Sequence, residues 1–195
     1  YCFDKSHGHR IPSYNFAGLA PYKGLIGASG FQRSIINTLV FVGAGVPLIT
    51  ATGILVAIVL DLLPSGITSS VMKTIFILSF GLAQAITGVL WAWIFNPAEG
   101  VINGFFDAIG LGGVSQSFLT DPYLVILAIL ITLIWRFSGY CGLVFFGAIN
   151  SIPTSHREAA KIDGASTLQV YRHVLFPEIR GVILMFSLLL SMMVI

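Results

Sequence analysis

Residues 39–60 read LVFVGAGVPLITATGILVAIVL, an apolar run without a charged side chain. No Asp, Glu, Lys or Arg occurs between Arg33 and Asp61. A helix needs ~20 residues to cross ~30 Å of hydrocarbon, and this window is longer. Strands of an outer-membrane barrel would instead alternate apolar and polar residues. The run therefore predicts a membrane-spanning helix, which we place near residues 35–60.

Further apolar runs predict three more spans. We place them near residues 73–95, 123–149 and 181–195. The third run contains Arg136 and Gly139, and the fourth is still apolar where the chain stops. The predicted fold class is all-α, a polytopic transmembrane helical bundle with about four spans.

Small and kinking residues along the first two spans suit such a bundle. Pro47 predicts a kink, because proline removes a backbone donor and clashes with the preceding turn. Glycines allow helices to approach closely in lipid. The glycines concerned are Gly43, Gly45, Gly53, Gly81 and Gly88.

Composition supports a membrane location and argues against several functions. The chain is 56% hydrophobic and 9% charged, whereas soluble domains have ~25% charged residues. A net charge of +2 is too small to suggest nucleic acid. The sequence lacks the phosphate-binding pattern G-x-x-x-x-G-K-[ST], and we expect neither ATP hydrolysis nor another catalytic site in this chain.

Cys2 and the nearby histidines predict no metal site. Cys2, Asp4, His7 and His9 do not have the spacing of a structural zinc site. A disulfide between Cys2 and Cys141 is not expected either, because one lies in a polar stretch and the other in an apolar span.

Loop charges predict sidedness. The loop 96–122 contains acidic residues and no Lys or Arg, whereas the loop 150–180 contains four basic residues. By the positive-inside rule, 150–180 is cytoplasmic and 96–122 external. Alternation then makes the segment 1–33 external, although its four basic residues weaken the rule there.

The external loop predicts a short helix. Its apolar residues recur at near-helical spacing before a group of glycines. Such a helix would bury the stripe either in the outer membrane surface or against the bundle. The stripe comprises Val101, Ile102, Phe105, Phe106 and Ile109, and the glycines are Gly110, Gly112 and Gly113.

The cytoplasmic loop contains explicit start and stop signals for two short helices. Ser155 with Glu158, and Ser166 with Gln169, have the spacing of capping boxes. Gly164 predicts a left-handed helix end between them. Pro177 predicts a break before the final span.

This loop carries a family resemblance. Glu158-Ala159-Ala160, then three residues, Gly164, nine residues and Val174-x-Phe176-Pro177 resemble the EAA loop of permease subunits in ATP-binding-cassette (ABC) importers. The departures are Val for Ile and Phe for Leu. Further segments resemble the carbohydrate branch of the binding-protein-dependent (MetI-like, type I) family. They are NFAGLAPYKGLI (15–26), NTLVF (37–41), WAWIFNPAEGVIN (91–103) and IDGAS (162–166). Segment 91–103 in particular resembles the first of the two permease subunits in that branch.

The resemblance implies a fold and partners. Residues 34–195 would form the transmembrane domain after an external segment 1–33, and we expect a fragment lacking the family's first helix and C-terminal end. The partners implied are a second homologous permease, two ATP-binding subunits that hold ATP and Mg, and an extracytoplasmic solute-binding protein. The location implied is the inner membrane of a bacterium or archaeon.

The resemblance also implies the site residues. The EAA loop would dock on the ATPase as a coupling helix through Glu158, Ala159, Ala160, Asp163, Gly164, Val174 and Pro177. Capping of its own helix is the plainer role for Glu158. The alternative for the whole chain is a secondary transporter or channel in which the loop is a structural connector.

Three residues are candidates for the substrate pathway. Arg136 is a basic residue within a span, and such residues commonly face a cavity, a partner or the bundle interior. It is equally suited to anchoring the bundle through backbone carbonyls. Trp91 and Trp135 could stack on a sugar, although tryptophans near span ends commonly form an interfacial belt.

Overall fold

The computed structural model describes residues 3–4, 15–16, 20–64, 66–110 and 118–194. The chain divides into two compact units, residues 1–40 and 41–195. In the first unit, strand β1 (Phe3–Asp4) pairs antiparallel with strand β2 (Asn15–Phe16). Two helices follow, α1 (Ala20–Gly27) and α2 (Ser29–Val40).

The described residues of the second unit form helices joined by turns and short extended links. A π-helical turn, Phe41–Gly45, leads into α3, and a second one, Tyr171–Leu175, leads into the last helix. The helices are α3 (Val46–Leu62), α4 (Ile67–Gly81), α5 (Gln84–Ile94), α6 (Val101–Ala108), α7 (Pro122–Asn150), α8 (Thr154–Ile162), α9 (Thr167–Val170) and α10 (Phe176–Val194).

The all-α membrane fold predicted from the sequence is confirmed. Among the described residues, three helical runs are long and apolar enough to cross a membrane: Ser29–Leu62, Leu124–Asn150 and Thr167–Val194. A bent helix pair brings the number to four if it is one span. Their apolar surfaces remain largely exposed in the isolated chain, as lipid-facing helices require.

The second span differs from the prediction of one helix near 73–95. It consists of α4 and α5, which are bent by 97° at Leu82 and Ala83. Both residues adopt extended backbone with ψ near 135–140°. The break falls in an apolar Leu-Ala pair, so hydropathy cannot detect it. It is therefore a broken span or a re-entrant segment.

The two prolines within spans lie in the same local arrangement. Pro47 and Pro177 each stand two residues after a π-helical turn. The carbonyl four residues before each proline, at Gly43 and His173, lies in that turn, where the wider winding relieves the clash with the proline ring. The expected break at Pro177 is therefore wrong, because α10 begins at Phe176 and passes through it.

Helices α3 and α7 form the centre of the bundle. A Cβ on Gly53 would lie 2.6 Å from Cys141 Cβ, and one on Gly142 would lie 2.4 Å from Val56 Cγ1. The crossing therefore requires glycine on both helices. Gly45 is tight as well, whereas Gly43, Gly81 and Gly88 have open space around them. The core around this crossing includes Ile49, Ala57, Phe145, Ile149, Leu175, Phe186 and Leu190.

The turn before α6 is built by the residues of the NPAEG segment (96–100). Asn96 Oδ1 accepts the backbone N–H of Ala98 at 2.8 Å. A Cβ on Gly100 would lie 2.2 Å from the Asn96 carbonyl oxygen, so the turn requires glycine. Asn103 is buried and donates to the carbonyls of Asn96 and Pro97.

Helix α6 has the predicted position, and Gly110 ends it with a φ of +80°. Val101, Phe105 and Ile109 are more than half exposed, so the described bundle does not cover this part of the stripe. Ile102 and Phe106 are half-buried. Gly112 and Gly113 lie outside the described residues.

Candidate functional site

The end of α8 is a fully formed left-handed stop. Gly164 has a φ of +82°. The N–H of Ala165 donates to the Ala160 carbonyl at 2.9 Å, and that of Gly164 donates to the Lys161 carbonyl at 3.1 Å. This pair of bonds is a Schellman motif, which fixes the direction of the chain after the helix.

The two predicted capping boxes have different outcomes. The backbone N–H of Ser166 donates to Gln169 Oε1 at 2.7 Å, and the box at the start of α9 is confirmed. The box between Ser155 and Glu158 is wrong, because α8 begins at Thr154 and Pro153 takes the capping position. Proline fixes its own backbone φ, and the helix begins two residues earlier than the serine pattern indicates. Glu158 is therefore not a capping residue of its own helix.

Helix α8 has two distinct faces. Ser155, Glu158, Ala159 and Ile162 recur at helical spacing and are all exposed. Arg157 and Ala160 are half-buried, and Ala160 packs against the core. The Glu-Ala-Ala triplet is thus divided, with two residues facing outward and one inward.

Large apolar side chains stand exposed on both sides of the glycine turn. Ile162 is 85% exposed and Leu168 is 76% exposed, although both belong to an otherwise polar loop. Asp163, directly before Gly164, is exposed, whereas Val174 is half-buried against the core. Pro177 is exposed in the first turn of α10. The partner contacts predicted for the EAA residues stay predictions.

A buried carboxylate joins α8 to the bundle. The side chain of Asp61, at the end of α3, is only 7% exposed. Arg157 Nη1 donates to its Oδ2 at 2.9 Å and Nη2 to its Oδ1 at 3.2 Å. The hydroxyl of Tyr171 also donates to Oδ2, and Arg157 Nη2 contacts the Ile149 carbonyl at 3.3 Å. We call Asp61, Arg157 and Tyr171 the clamp.

A second ion pair connects α8 to α10 at the surface. His156 Nδ1 lies 2.7 Å from Glu178 Oε1, with the two side chains 48% and 39% exposed. Exposed pairs of this kind contribute little to stability, because water screens them. The clamp, by contrast, is a bidentate pair of low exposure.

Arg136 anchors the break between α4 and α5. Its Nη1 donates to the carbonyl of Leu82 at 3.1 Å and to Thr87 Oγ1 at 2.9 Å. Leu82 lies at the C-terminal end of α4, where the helix dipole favours a cation. The anchoring role through a backbone carbonyl is therefore observed. Helix α7 is continuous at Gly139, and this glycine allows it to approach the backbone of Phe76.

Arg136 and Trp91 line the same cavity, which has a volume of about 280 Å³. Trp135 contacts Trp91 edge to face, with ring centroids 5.7 Å apart. The lining is mainly apolar, and the Trp91 indole N–H is buried without a hydrogen-bond partner. The structure thus brings the three pathway candidates together, and substrate contact by them stays a prediction.

No group of three His, Cys, Asp or Glu residues that could hold a metal ion occurs in the described ranges. Asp4 lies in the first strand pair, whereas Cys2, His7 and His9 lie outside the described residues.

Comparison with known proteins identifies the family. The model described as "binding-protein-dependent transport system inner membrane component" matches residues 24–195. The chain belongs to this family. The membership predicted from the EAA loop is therefore confirmed, and the spans are those of a multi-pass member of the family.

Two curated relatives and a solved structure are similar to this family member. A probable ABC transporter permease of Pyrococcus horikoshii is 41% identical over 87% of this chain and 57% of its own length. A xylose/arabinose import permease of Haloferax volcanii is 30% identical over 91% and 55%. The structure is a bacterial alginate ABC transporter in complex with an alginate pentasaccharide-bound periplasmic protein, with 28% identity, a TM-score of 0.81 and coverage of 88% and 60%. The chain thus spans just over half the length of these curated relatives.

Sequence reasoning missed the clamp. In the sequence, Asp61 marks only the end of a charge-free window, and Arg157 counts only as one of the four basic residues of loop 150–180. The available signal was an acidic residue directly at the end of a long apolar run. Its partner stands 96 residues later, so only the fold pairs them.

Proposed function

We propose that this chain is a transmembrane permease subunit of an ATP-driven, binding-protein-dependent importer of sugars, oligosaccharides or polyols, with glycerol phosphates included in the range. The observation that carries the proposal is the exposed outer face of α8, a helix that the contact of Arg157 with Asp61 fastens to the bundle. The substrate class is supported by the relatives named for xylose/arabinose and alginate.

The outer face of α8 suits a protein partner better than water. Glu158 offers a carboxylate that no described contact engages, and Ala159 beside it leaves room for close approach. Ile162 and Leu168 add exposed apolar area around the turn. Apolar groups rimmed by polar residues are typical of interaction sites. We assign this face to the ATPase, with Glu158 as its charged contact.

The location of α8 supports the assignment. The contact between Asp61 and Arg157 puts the end of α3 and the basic loop 150–180 on the same side of the bundle. By its charge this side is cytoplasmic. Loop 96–122, at the other end of α7, and the segment 1–33 are then external.

The assembly would contain further subunits. A second homologous permease would complete the translocation path, and two ATP-binding subunits would bind ATP and Mg. An extracytoplasmic solute-binding protein would deliver the substrate, as the periplasmic protein in the alginate transporter complex suggests. The chain itself would then act as a transport subunit without catalysis.

Co-purification tests the proposal. The protein, tagged and co-expressed with the ATP-binding subunit of its importer, should retain that subunit in detergent. Glu158→Ala and Gly164→Ala should weaken this retention, since alanine at a φ of +82° is strained. Gly181→Ala is the matched control, because Gly181 is an exposed helical glycine with open space around it.

Transport in proteoliposomes distinguishes the proposed function from that of a secondary transporter. The solute-binding protein loaded with xylose, arabinose or alginate pentasaccharide should stimulate ATP hydrolysis by the complex. Uptake that proceeds without any ATPase, driven by an ion gradient, would contradict the proposal and support a secondary transporter.

A further inference from the structure

The link between α7 and α8 is an elbow. Helix α7 ends at Asn150 and α8 begins at Thr154. Between them, Ser151 and Ile152 form a turn, and Pro153 has extended backbone with a ψ of 135°. The helical hydrogen-bond ladder is therefore interrupted, and the elbow alone would let α8 swivel relative to α7.

The clamp restrains this swivel. Asp61 belongs to α3, which is locked against α7 by the glycine contacts at Gly53 and Gly142. Two hydrogen bonds from one guanidinium fix both the position and the rotation of Arg157. Tyr171 adds a contact from the segment that follows α9. The side of α8 opposite Glu158 is thus fastened to the pair α3–α7.

We propose that Asp61 is a positioning residue for energy coupling: through Arg157 it makes α8 move as one rigid body with α3 and α7. The proposal rests on the function proposed above. When the ATPase moves the outer face of α8, the clamp passes that motion to α3, which is distant from α8 in sequence, and through the α3–α7 contacts to α7. Without it, α8 turns about its elbow and ATP is hydrolysed with little transport. A rigid element between two sites is what transmission of this kind requires.

The test measures the number of sugar molecules imported per ATP hydrolysed, in proteoliposomes with the complete complex. The probe is whichever of xylose, arabinose and alginate pentasaccharide gives the largest uptake with wild type. Asp61→Asn keeps the side-chain shape and removes the charge. We expect it to lower import per ATP by about fivefold or more, the lower end of typical coupling between sites. ATPase retention and basal hydrolysis should be unchanged.

Two further variants sharpen the test. Glu178→Gln is the matched control. It breaks the exposed ion pair that joins His156 of α8 to α10, and it should leave import per ATP unchanged. Arg157→Lys keeps the charge without the bidentate geometry and should give an intermediate ratio. The double variant Asp61→Arg with Arg157→Asp exchanges the two charges, and it should recover part of the import per ATP that the Asp61 variant loses.

The results that would overturn this proposal differ from those that would overturn the proposed function. If Asp61→Asn lowers only yield or thermal stability, and import per ATP stays at the wild-type value, the clamp is merely structural and the proposal is overturned. An equal loss in Glu178→Gln would also overturn it. If the wild-type protein retains no ATPase, or imports sugar without ATP, the proposed function itself fails, whatever the variants do.

Discussion

Two half-buried arginines of this molecule are satisfied in opposite ways. Arg157, in α8, meets the carboxylate of Asp61. Arg136, within α7, meets a carbonyl and a hydroxyl, which carry no net charge. The first arrangement forms a neutral link between helices, whereas the second leaves a positive charge on a cavity wall. Arginine therefore joins two helices through a carboxylate at one site and contacts the break between α4 and α5 at the other.

The largest effect should come from breaking the clamp. Arg157→Ala leaves Asp61 as an unpaired carboxylate with 7% exposure, and we expect a loss of about 3–5 kcal/mol in the free energy of unfolding. Denaturant-induced unfolding in detergent micelles measures it. Arg172→Ala, at an exposed arginine nearby, should change stability by about 0.5 kcal/mol or less.

A double variant separates charge from packing in this result. Asp61→Asn combined with Arg157→Gln leaves neither charge behind, so much of the lost stability should return. A cost below about 1 kcal/mol for Arg157→Ala alone would show that water reaches the carboxylate, and the contrast between the two arginines would fail.

An intermediate effect should come from Gly139→Ala, beside Arg136. The new Cβ would lie 2.2 Å from the Phe76 carbonyl oxygen, so α4 must move away from α7. Because the clash is with backbone, we expect the free energy of unfolding to fall by about 2–3 kcal/mol. Gly147→Ala, on the same helix with open space around it, should be nearly neutral. Equal stability of the two variants would contradict the observed packing of α4.

The smallest effect should come from Arg136→Met. It leaves the Leu82 carbonyl and the Thr87 hydroxyl with fewer partners but buries no unpaired charge, so we expect a loss of about 1–2 kcal/mol. The same unfolding assay measures it, with exposed Arg180→Met as the control. A loss as large as that of Arg157→Ala would remove the distinction drawn between the arginines.

Local chemistry explains which predictions succeeded. The spans follow from apolar length, and the Gly164 stop and the Ser166 cap depend on residues within one helical turn of each other. The prediction failed at Ser155 because Pro153 competes for the same start, and at Pro177 because a π-helical turn relieves the clash. Both competitors are local but act through backbone geometry that residue spacing does not reveal.

The sequence by itself determined that this is a helical membrane protein with an EAA loop between its last two spans, because hydropathy, glycine and capping residues act over short distances. Only the tertiary structure decided where the second span breaks, since Arg136 holds Leu82 from 54 residues away. It also decided that Glu158 faces outward while Arg157 is fastened to Asp61. Contacts between residues that far apart in the chain depend on helix packing, which no local pattern encodes.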